Sequence, residues 1–315
     1  MRPARRLLVS IGDLNEDVVI LVKAPEIRLG TDNRCHVVRL PGGSAANVAA
    51  LAASRAPAAF VGRVGDDVLG DALCRSMLES GAELRVERGG RTGSIVVLVD
   101  AHGERTMFPD RGAAVELRAI PDEWVTDAGI VHAPAYFMES EAMETVVVGA
   151  LERARKAGAG TSIDASSAGV IRHLGPRKVV RRLEVLSPDY LFANSDEAAL
   201  LGLDQVRAVA RTTIIKNGKD PVVVLGAEGR RRSEYPVAPV VDVLDTTGAG
   251  DAFAAGFLSA VLDGADEAEA VSAGARLAAV VLGSPGARPA VGAGTGRPST
   301  GTDSTSRSRG EAGQP

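Results

Sequence analysis

Short β-branched apolar runs alternate with longer stretches rich in Ala, Leu and Arg along most of this 315-residue chain. The short runs are typical of buried strands, and they read LLVSIG, AAFVGRVG, SIVVLVD, IVHAPAY, GTSIDAS, YLFAN, TIIK and VVVL. Helical patterns lie between several of them, at residues 47–56, 71–80, 141–157 and 195–201. Because strands joined by helical crossovers lie parallel, the pattern predicts an α/β fold with a mostly parallel sheet covered by helices.

Two stretches do not follow this alternation, at about residues 17–40 and 90–112. Strand-like runs meet there at the turn sequences TDNR and AHGE, with no helix between them. This pattern is typical of antiparallel hairpins. Two hairpins from separate parts of the chain can form a small second sheet over one edge of the main domain, so we predict a β-sheet lid.

The composition changes after Gly283, where Gly, Pro, Ser, Thr and Arg dominate and no large apolar residue follows Val291. A segment with so little apolar surface cannot offset the entropy that ordering would cost. We expect residues 291–315 to be a disordered tail. Residues 1–290 are expected to form one α/β domain that includes the lid.

Charge and apolar content exclude several classes of partner. The net charge of −4 at pH 7 gives no basic footprint of the kind that nucleic-acid-binding proteins need. The basic start, MRPARRLLVSIGD, has an apolar run shorter than a signal peptide requires, and no stretch reaches the length of a membrane helix. We therefore expect a cytoplasmic protein that binds neither nucleic acid nor membranes.

The segment VLDTTGAGDAFAAGFLSAVL, residues 243–262, carries the clearest chemical signal. The turn Gly248–Gly250 leads into a strongly helical run, so several backbone N–H groups remain unpaired at the positive end of a helix dipole. Such a turn binds anions, and its small residues let a phosphate approach the backbone closely. The spacing matches neither a Walker A loop nor a dinucleotide-binding fingerprint, so this is another kind of phosphate site.

Asp251 directly follows this turn, and two roles are open for it. A carboxylate beside a phosphate could be a general base that accepts a proton from an alcohol while the alcohol attacks a phosphoryl group. Alternatively, it could be an acidic residue of the first helical turn that complements the helix dipole. The Gly-rich motif alone favours neither role.

Long motifs in both halves of the chain resemble the signatures of the ribokinase-like (PfkB) carbohydrate kinase family. DTTGAGDAFAAGF resembles the C-terminal signature, and PGGSAANVAALAA with FVGRVGDDVLGDAL resembles the N-terminal one. The resemblance covers about residues 6–290. It implies a three-layer α/β/α core with a mostly parallel sheet, a β-sheet lid, and ATP-dependent phosphorylation of a hydroxyl on a sugar-like small molecule.

The resemblance also implies a catalytic role for the Gly-rich turn. Asp251 falls on the catalytic base of the family, and its anion hole falls on Gly248, Ala249 and Gly250. Asp251 would then deprotonate the hydroxyl, while the backbone amides hold the charge that develops on the transferred phosphate.

At the substrate end, GDLNED matches the first-strand motif of the family. Asn15 and Asp17 are therefore expected to bind substrate hydroxyls, since a carboxylate can accept two hydrogen bonds at once. Gly42 and Gly43 fall on the di-glycine of the lid hinge, where positive φ is useful, and Asn47 falls on a substrate-binding asparagine. Turn glycines and a helix-capping Asn47 are the structural alternatives.

At the nucleotide end, FANSDEAALL and IIKNG match two further elements of the family. Asn194 and Glu197 would orient the water ligands of Mg²⁺ and the phosphates of ATP, although an N-cap with a capping-box acid has the same spacing. Lys216 and Gly218 match a strand-end motif close to the nucleotide. A rival register places that motif at residues 225–229.

Potassium and dimerisation are further expectations of the resemblance. Asp245 and Thr247 fall where many relatives hold a monovalent cation, with capping of the turn by the Asp245 side chain as the alternative. Lid sheets of this family often pair between subunits, so an exposed edge of the lid sheet would favour a homodimer, and the sequence leaves the oligomeric state open.

The identity of the substrate stays open. Arg111 lies on the outgoing strand of the second lid hairpin, where it could bind the carboxylate of a sugar acid or pair with Asp110. Met107 and Phe108 could instead stack on a nucleobase, which keeps a nucleoside kinase as the alternative. A third hypothesis is a non-catalytic protein that keeps this fold and senses sugars or nucleotides.

Overall fold

The computed structural model describes residues 7–22, 27–100, 105–203, 209–227, 231–241, 243–284 and 286–288. The predicted tail at residues 291–315 and the turn sequence AHGE lie outside these ranges. The strands are β1 (Leu8–Gly12), β2 (Asn15–Val22), β3 (Cys35–Gly42), β4 (Ala58–Val64), β5 (Glu83–Arg88), β6 (Thr92–Val99), β7 (Arg105–Gly112), β8 (Ile130–Pro134), β9 (Gly160–Asp164), β10 (Tyr190–Asn194), β11 (Thr212–Lys216), β12 (Val222–Gly226) and β13 (Arg232–Tyr235). The α-helices are α1 (Ser44–Ala53), α2 (Val68–Glu79), α3 (Glu141–Lys156), α4 (Ala168–Leu174), α5 (Pro176–Leu186), α6 (Ser195–Leu201), α7 (Ala249–Leu262) and α8 (Glu267–Leu282).

The larger of two sheets has the strand order β13-β12-β11-β10-β9-β8-β1-β4-β5. Its strands run parallel from β5 across to β11. Only the last two strands, β12 and β13, are antiparallel to their neighbours, because the connections that lead into them are too short for helical crossovers. The prediction of a mostly parallel sheet is confirmed.

Side chains of the central strands alternate between two hydrophobic cores, one on each face of the larger sheet. In β10, Leu191 packs into the core that includes residues of α3, α4, α5 and α6. The next residue, Phe192, packs on the other face against Phe253 and Phe257 of α7. Because both faces are covered, YLFAN is a continuous apolar run instead of an alternating one. Helices on both faces give the predicted three-layer α/β/α core.

The smaller sheet has the order β3-β2-β6-β7 and contains the two predicted hairpins. The β2–β3 and β6–β7 pairs are antiparallel, and the central β2–β6 pair is parallel. One face of this sheet covers a cavity, which Ile95, Met107 and Pro109 line. The prediction of a separate small sheet is confirmed, whereas its movement as a lid stays a prediction.

Several elements were not predicted, because their residues give weak patterns. β5 lies at the edge of the larger sheet and has the polar sequence ELRVER. α5 is strongly basic and buries only Val179, Leu183 and Leu186. α4 and α8 were also missed. Among the described residues, no helix is long and apolar enough to cross a membrane.

The carboxyl ends of the parallel strands lie along one edge of the larger sheet, where polar side chains follow one another. Asp13 lies just after β1, while Asp164, Asn194 and Lys216 are the last residues of β9, β10 and β11. Ligands of open α/β sheets bind at this edge. The fold therefore gathers residues from distant parts of the sequence at one place.

Candidate active site

A cavity of about 1060 Å³ lies between this edge, the smaller sheet and the N-terminal end of α7. A cavity of that size is large enough for two small-molecule substrates. Most of the predicted site residues line it, namely Asn15, Asp17, Gly43, Asn47, Arg111, Asn194, Glu197, Lys216, Gly218, Thr247, Gly248, Ala249, Gly250 and Asp251. Gly42 and Asp245 are the two predicted residues that do not line it.

Asp251 lies in the first turn of α7, and its carboxylate is held by the first helix of the chain. Oδ1 accepts a hydrogen bond of 2.7 Å from the Ser44 hydroxyl, and Oδ2 accepts one of 2.8 Å from the Asn47 side-chain amide. Burial raises the pKa of Asp251 to about 7, and these two hydrogen bonds oppose the effect only in part. A carboxyl group with this pKa suits proton transfer near neutral pH better than it suits a mere dipole interaction.

The Gly-rich turn before Asp251 requires glycine at its first position. Gly248 is the N-cap of α7 and has φ 75°, and a Cβ atom there would lie 2.4 Å from the Cβ of Ala287. A Cβ atom on Gly250 would lie 3.1 Å from the Lys216 Nζ. The amides at the start of α7 therefore face the cavity beside a lysine, an arrangement suited to a phosphate group.

Lys216 brings a positive charge to this anion site. Its Nζ donates a hydrogen bond of 2.8 Å to Asp164 Oδ2, and the two side chains are 16% and 9% exposed. Burial alone would lower the pKa of Lys216, but the carboxylates of Asp164, Glu197 and Asp251 raise it above its ordinary value. Lys216 is therefore charged, and Asp164 is a site residue that the sequence did not indicate.

Asn194 and Glu197 form the capping box that was the structural alternative for them. Asn194 Oδ1 accepts from the Glu197 backbone N–H, and Glu197 Oε2 accepts from the Asn194 backbone N–H, each at 2.8 Å. Both residues nevertheless line the cavity. Burial, followed by the charge of Asp164, raises the pKa of Glu197 to about 7.

A metal site built from protein side chains alone is absent among the described residues, where no group of three or more His, Cys, Asp and Glu could hold an ion. Mg²⁺ in phosphate-transferring sites is usually bound by one or two carboxylates, several waters and the substrate phosphates. Glu197 and Asn194, which offer oxygen atoms at the cavity wall, fit this second mode.

The residues that follow β1 form one end of the cavity, named the acceptor end here because the sequence predicts that the substrate hydroxyls bind there. Asn15 is fully buried, donates to Asp13 Oδ2 at 3.2 Å, and leaves its Oδ1 without a hydrogen-bond partner in the described part of the chain. Burial, followed by the charge of Asp13, raises the pKa of Asp17 to about 6.

Glycine is required at Gly42 and at Gly43 for two different structural reasons. Gly43 has φ 98°, in agreement with the predicted positive φ, and is the N-cap of α1. Gly42 does not have positive φ, so that prediction is wrong for this residue. Instead, a Cβ atom on Gly42 would lie 2.3 Å from Asp17 Oδ1, and glycine is needed to let the carboxylate approach the backbone.

Arg111 contacts Asp13 and Tyr136 instead of the predicted partner Asp110. It donates to Asp13 Oδ2 at 2.9 Å, and its guanidinium carbon lies 3.9 Å from the centre of the Tyr136 ring. The alternative of an Arg111–Asp110 pair is wrong, because Asp110 pairs with Arg91. The orientation places Arg111 at the acceptor end of the cavity.

Asn47 is not a helix cap, since Gly43 is the N-cap of α1 and Asn47 lies inside the helix. Its amide oxygen accepts a hydrogen bond of 2.9 Å from Arg288 Nε, while its amide nitrogen donates to Asp251. Arg288 also donates to the Gly42 carbonyl at 3.4 Å. The pKa of Arg288 is lowered to about 10 by burial, against the opposing charges of nearby carboxylates. The sequence did not indicate Arg288, because no local motif surrounds it.

Asp245 caps the turn that precedes α7, as the structural alternative for it proposed. Its carboxylate accepts from the backbone N–H of Thr247 at 2.7 Å and from that of Gly286 at 3.0 Å. Arg105, from the start of β7, also donates to Asp245 Oδ1 and to the Thr247 hydroxyl. The side-chain oxygens expected to bind potassium are thus already bound to a guanidinium, so this pair of residues does not fit a bound potassium ion.

Comparison with known proteins agrees with this geometry. The sequence profile of the pfkB family carbohydrate kinases matches residues 5–292. An ATP-dependent ribose-1-phosphate kinase of Halopiger xanaduensis is 33% identical over 90% of this chain and 94% of its own length. The adenosine kinase structure of Sinorhizobium meliloti has a TM-score of 0.81, with 25% identity over 91% of this chain and 97% of its own. A fructokinase structure of Xylella fastidiosa with bound ATP shares the fold, with a TM-score of 0.76, 23% identity, and coverage of 90% of this chain and 94% of its own.

The matches span the two signature motifs, both sheets and the cavity between them. They confirm the resemblance drawn from DTTGAGDAFAAGF and PGGSAANVAALAA, and they confirm the predicted ribokinase-like fold. This chain belongs to the pfkB family of carbohydrate kinases, and it is a phosphotransferase with an alcohol group as acceptor.

Proposed function

We propose that this protein transfers the γ-phosphate of ATP to a hydroxyl of a sugar or sugar derivative, with Asp251 as the general base. One observation carries the proposal: the Asp251 carboxylate, with its pKa raised to about 7, lies between an anion-binding turn and a polar acceptor pocket. A base in this position can reach a hydroxyl on one side while the backbone amides of Gly248–Gly250 hold phosphate on the other.

Binding of the acceptor is assigned to the residues after β1. Asp17 and Asn15, which line the cavity, bind substrate hydroxyls, and the backbone bend at Gly43 places α1 beside them. The smaller sheet covers this end through Ile95 and Met107. This cover excludes water, which would otherwise compete as phosphate acceptor.

Binding of the nucleotide is assigned to the other half of the cavity. Its wall includes Lys216 and Gly218 at the end of β11 and the apolar residues Val222 and Val237, which suit a purine ring. Lys216 holds the phosphates as a point charge. Asn194 and Glu197 hold the water ligands of Mg²⁺, which when bound neutralises charge on the phosphates.

The transfer step follows from these positions. Asp251 takes the proton of the acceptor hydroxyl as its oxygen bonds to the γ-phosphorus, and the bond between that phosphorus and the bridging oxygen to the β-phosphate breaks. The products are ADP, the phosphorylated acceptor and a protonated Asp251, which returns its proton to solvent. The N–H groups at the start of α7 stabilise the charge on the transferred group throughout the step.

A nucleoside is the second candidate for the acceptor. Met107, Ile95 and the ring of Tyr136 give the acceptor end an apolar wall that could cover a base. Phe108, which was expected to contribute, does not line the cavity in the described part of the chain and belongs to the opposite face of β7. The nucleoside proposal therefore rests on Met107 and not on Phe108.

The experiment that tests the proposal is an ADP-release assay with ATP, Mg²⁺ and a panel of pentoses, hexoses, ribose 1-phosphate, sugar acids and nucleosides. Turnover of at least one sugar or sugar derivative, lost in Asp251→Asn, supports it. Turnover of nucleosides alone would favour the second candidate. Ligand-induced rises in unfolding temperature without any ADP release would contradict both and favour a binding protein.

The cellular location, expected from the short apolar run near the N-terminus, and the assembly, expected from the family resemblance, stay predictions. We keep the proposal of a cytoplasmic enzyme and of a homodimer paired through the smaller sheet, whose edge strands are β3 and β7. Partly exposed apolar side chains lie on both edges, including Val37 and Phe108. Light scattering of the purified protein measures the assembly directly.

A further inference from the structure

Arg105 connects the smaller sheet to the loop that precedes the catalytic helix. It is the first residue of β7, where it pairs with Val99 of β6. Its guanidinium donates through Nη1 to the Thr247 hydroxyl and through Nη2 to Asp245 Oδ1, across 142 and 140 residues of sequence. The ion pair between Arg105 and Asp245 therefore joins the smaller sheet to the turn that leads into Gly248–Gly250.

The carboxylate of Asp245 links three separate segments of the chain. It accepts hydrogen bonds from Thr247 within its own turn, from Gly286 after α8, and from Arg105 of the smaller sheet. Both partners of the ion pair are shielded, with 28% of the Arg105 side chain and 20% of the Asp245 side chain exposed. A shielded, charge-assisted and two-pronged contact fixes geometry better than an open surface pair does.

The charge of Asp245 has to be balanced for the anion site to work. A bare carboxylate three residues before Gly248 would repel a phosphate held by the amides of that turn. A cation is therefore needed beside Asp245, and it can be a bound ion or a side chain. Arg105 supplies the charge and takes the two side-chain oxygens, on Asp245 and Thr247, that an ion would use.

We propose that Arg105 acts as a positioning residue that replaces a bound monovalent cation beside the anion site and fixes the Asp245–Gly250 turn when the smaller sheet lies over the cavity. The inference rests on the proposed phosphotransfer function. Arg105 touches the turn and not the reacting atoms, so it acts through Asp245 and Thr247. Because the guanidinium comes from the smaller sheet, the anion site is complete only when that sheet is in place.

The test compares wild type with Arg105→Ala in potassium chloride and in tetramethylammonium chloride at equal ionic strength. Arg91→Ala is the matched control, because it breaks the exposed ion pair with Asp110 in the same sheet without touching the turn. The first measurement is the unfolding temperature, which needs no turnover and reports binding of the ion itself. The second measurement is of kcat and KM, with an acceptor that the ADP-release panel identifies.

We expect wild type and Arg91→Ala to show the same unfolding temperature in both salts. Arg105→Ala should gain a potassium-specific rise in unfolding temperature, and its kcat should fall about 10- to 100-fold, with partial recovery in potassium. Arg105→Lys, which keeps the charge but not the two-pronged geometry, should recover part of kcat without potassium. If Arg105→Ala does not fold, Arg105→Gln replaces it in both measurements.

A potassium-specific stabilisation of wild type, or none in Arg105→Ala, would overturn the proposal. So would an Arg105→Ala kcat equal to that of wild type in tetramethylammonium chloride. Failure of the proposed function has a different signature, since wild type would then release no ADP with any acceptor. The salt dependence of the unfolding temperature decides the role of Arg105 in that case as well.

Discussion

Asn47 and Asp251, 204 residues apart in the sequence, are joined by a hydrogen bond of 2.8 Å from the amide nitrogen to the carboxylate. Because the same amide accepts from Arg288 through its oxygen, its nitrogen must point toward Asp251. The Asp251 carboxylate is therefore oriented by the Asn47 side chain, whose own orientation is fixed by Arg288. This relationship explains why Asp251 faces the acceptor end and not the solvent.

Replacing Asp251 by Asn should abolish most of the turnover while keeping the fold. Removal of a general base typically costs 10²- to 10⁴-fold in rate, and we expect kcat to fall by at least ~10²-fold with the acceptor KM nearly unchanged. Steady-state kinetics and calorimetric binding of ATP measure the two effects. Near-normal turnover with normal substrate binding would remove Asp251 from the mechanism.

The rate of the wild-type enzyme should depend on pH through the same carboxyl group. Asp251 must be deprotonated to accept a proton, and its pKa is raised to about 7. We expect kcat/KM to rise with pH up to about 7 and then to level off. A rate that is constant between pH 5.5 and 8 would show that no group with this pKa acts as the base.

The stability of the fold should change with pH in the opposite direction. A carboxyl group whose pKa is about 7 in the folded state and 3.8 when unfolded binds more protons in the folded state between those values. The free energy of unfolding should then fall as pH rises from 4 to 7, by at most about 4 kcal/mol for this group. Urea unfolding of wild type and Asp251→Asn at pH 5 and pH 8 measures it.

In Asp251→Asn this contribution is absent, so the variant should have a higher free energy of unfolding than wild type at pH 8. At pH 5, where Asp251 of the wild type is protonated, that difference should be smaller or reversed. Asp110→Asn is the control, because that carboxylate is exposed and contacts only the Arg91 side chain and the Gly112 backbone N–H in the described part of the chain. Equal pH slopes in wild type and Asp251→Asn would contradict the assigned pKa.

A methyl group on Gly42 should impair acceptor binding specifically. The added Cβ atom would lie 2.3 Å from Asp17 Oδ1, so the carboxylate has to move away from its position. We expect Gly42→Ala to raise the acceptor KM about tenfold or more with little change in the ATP KM. Asp17→Asn should give a similar pattern. An unchanged acceptor KM in both variants would show that Asp17 does not bind the acceptor.

Breaking the ion pair between Lys216 and Asp164 should separate stability from phosphate binding. Lys216→Met leaves the Asp164 carboxylate shielded and unpaired, which should cost about 3 kcal/mol in the free energy of unfolding. The double variant Lys216→Met with Asp164→Asn should recover much of that loss. Its kcat should nevertheless stay low, because the positive charge beside Gly250 is still missing. Recovery of kcat together with stability would make Lys216 a purely structural residue.

The site could be predicted where its residues belong to contiguous sequence motifs. GDLNED, PGGSAANVAA and DTTGAGDAF are contiguous motifs, and their residues do line one cavity. Local spacing alone did not distinguish two interpretations of Asn194 and Glu197. The same three-residue spacing is typical of a helix capping box and of a side-chain pair at the cavity wall. Here the structure contains both features, so the two interpretations did not exclude each other.

The residues that sequence reasoning missed are those that act across the fold. Ser44, Arg105, Asp164 and Arg288 each contact the site through a partner that is 52 to 241 residues away. No period or motif marks such a residue, since its position is set by tertiary packing. Ser44 alone had a signal, because it lies inside the N-terminal signature between the glycines and Asn47.

The smaller sheet and α7 contribute different residues to the cavity, and this separation bears on how acceptor specificity can change. Ile95, Met107 and Arg111, which line the cavity, lie on the neighbouring strands β6 and β7, while Asp251 and the Gly248–Gly250 turn belong to the start of α7. Substitutions on those two strands can therefore alter which acceptor is preferred and leave the phosphate chemistry intact. A combinatorial library limited to β6 and β7, with Arg105 held constant, is the shortest route to new acceptor specificities.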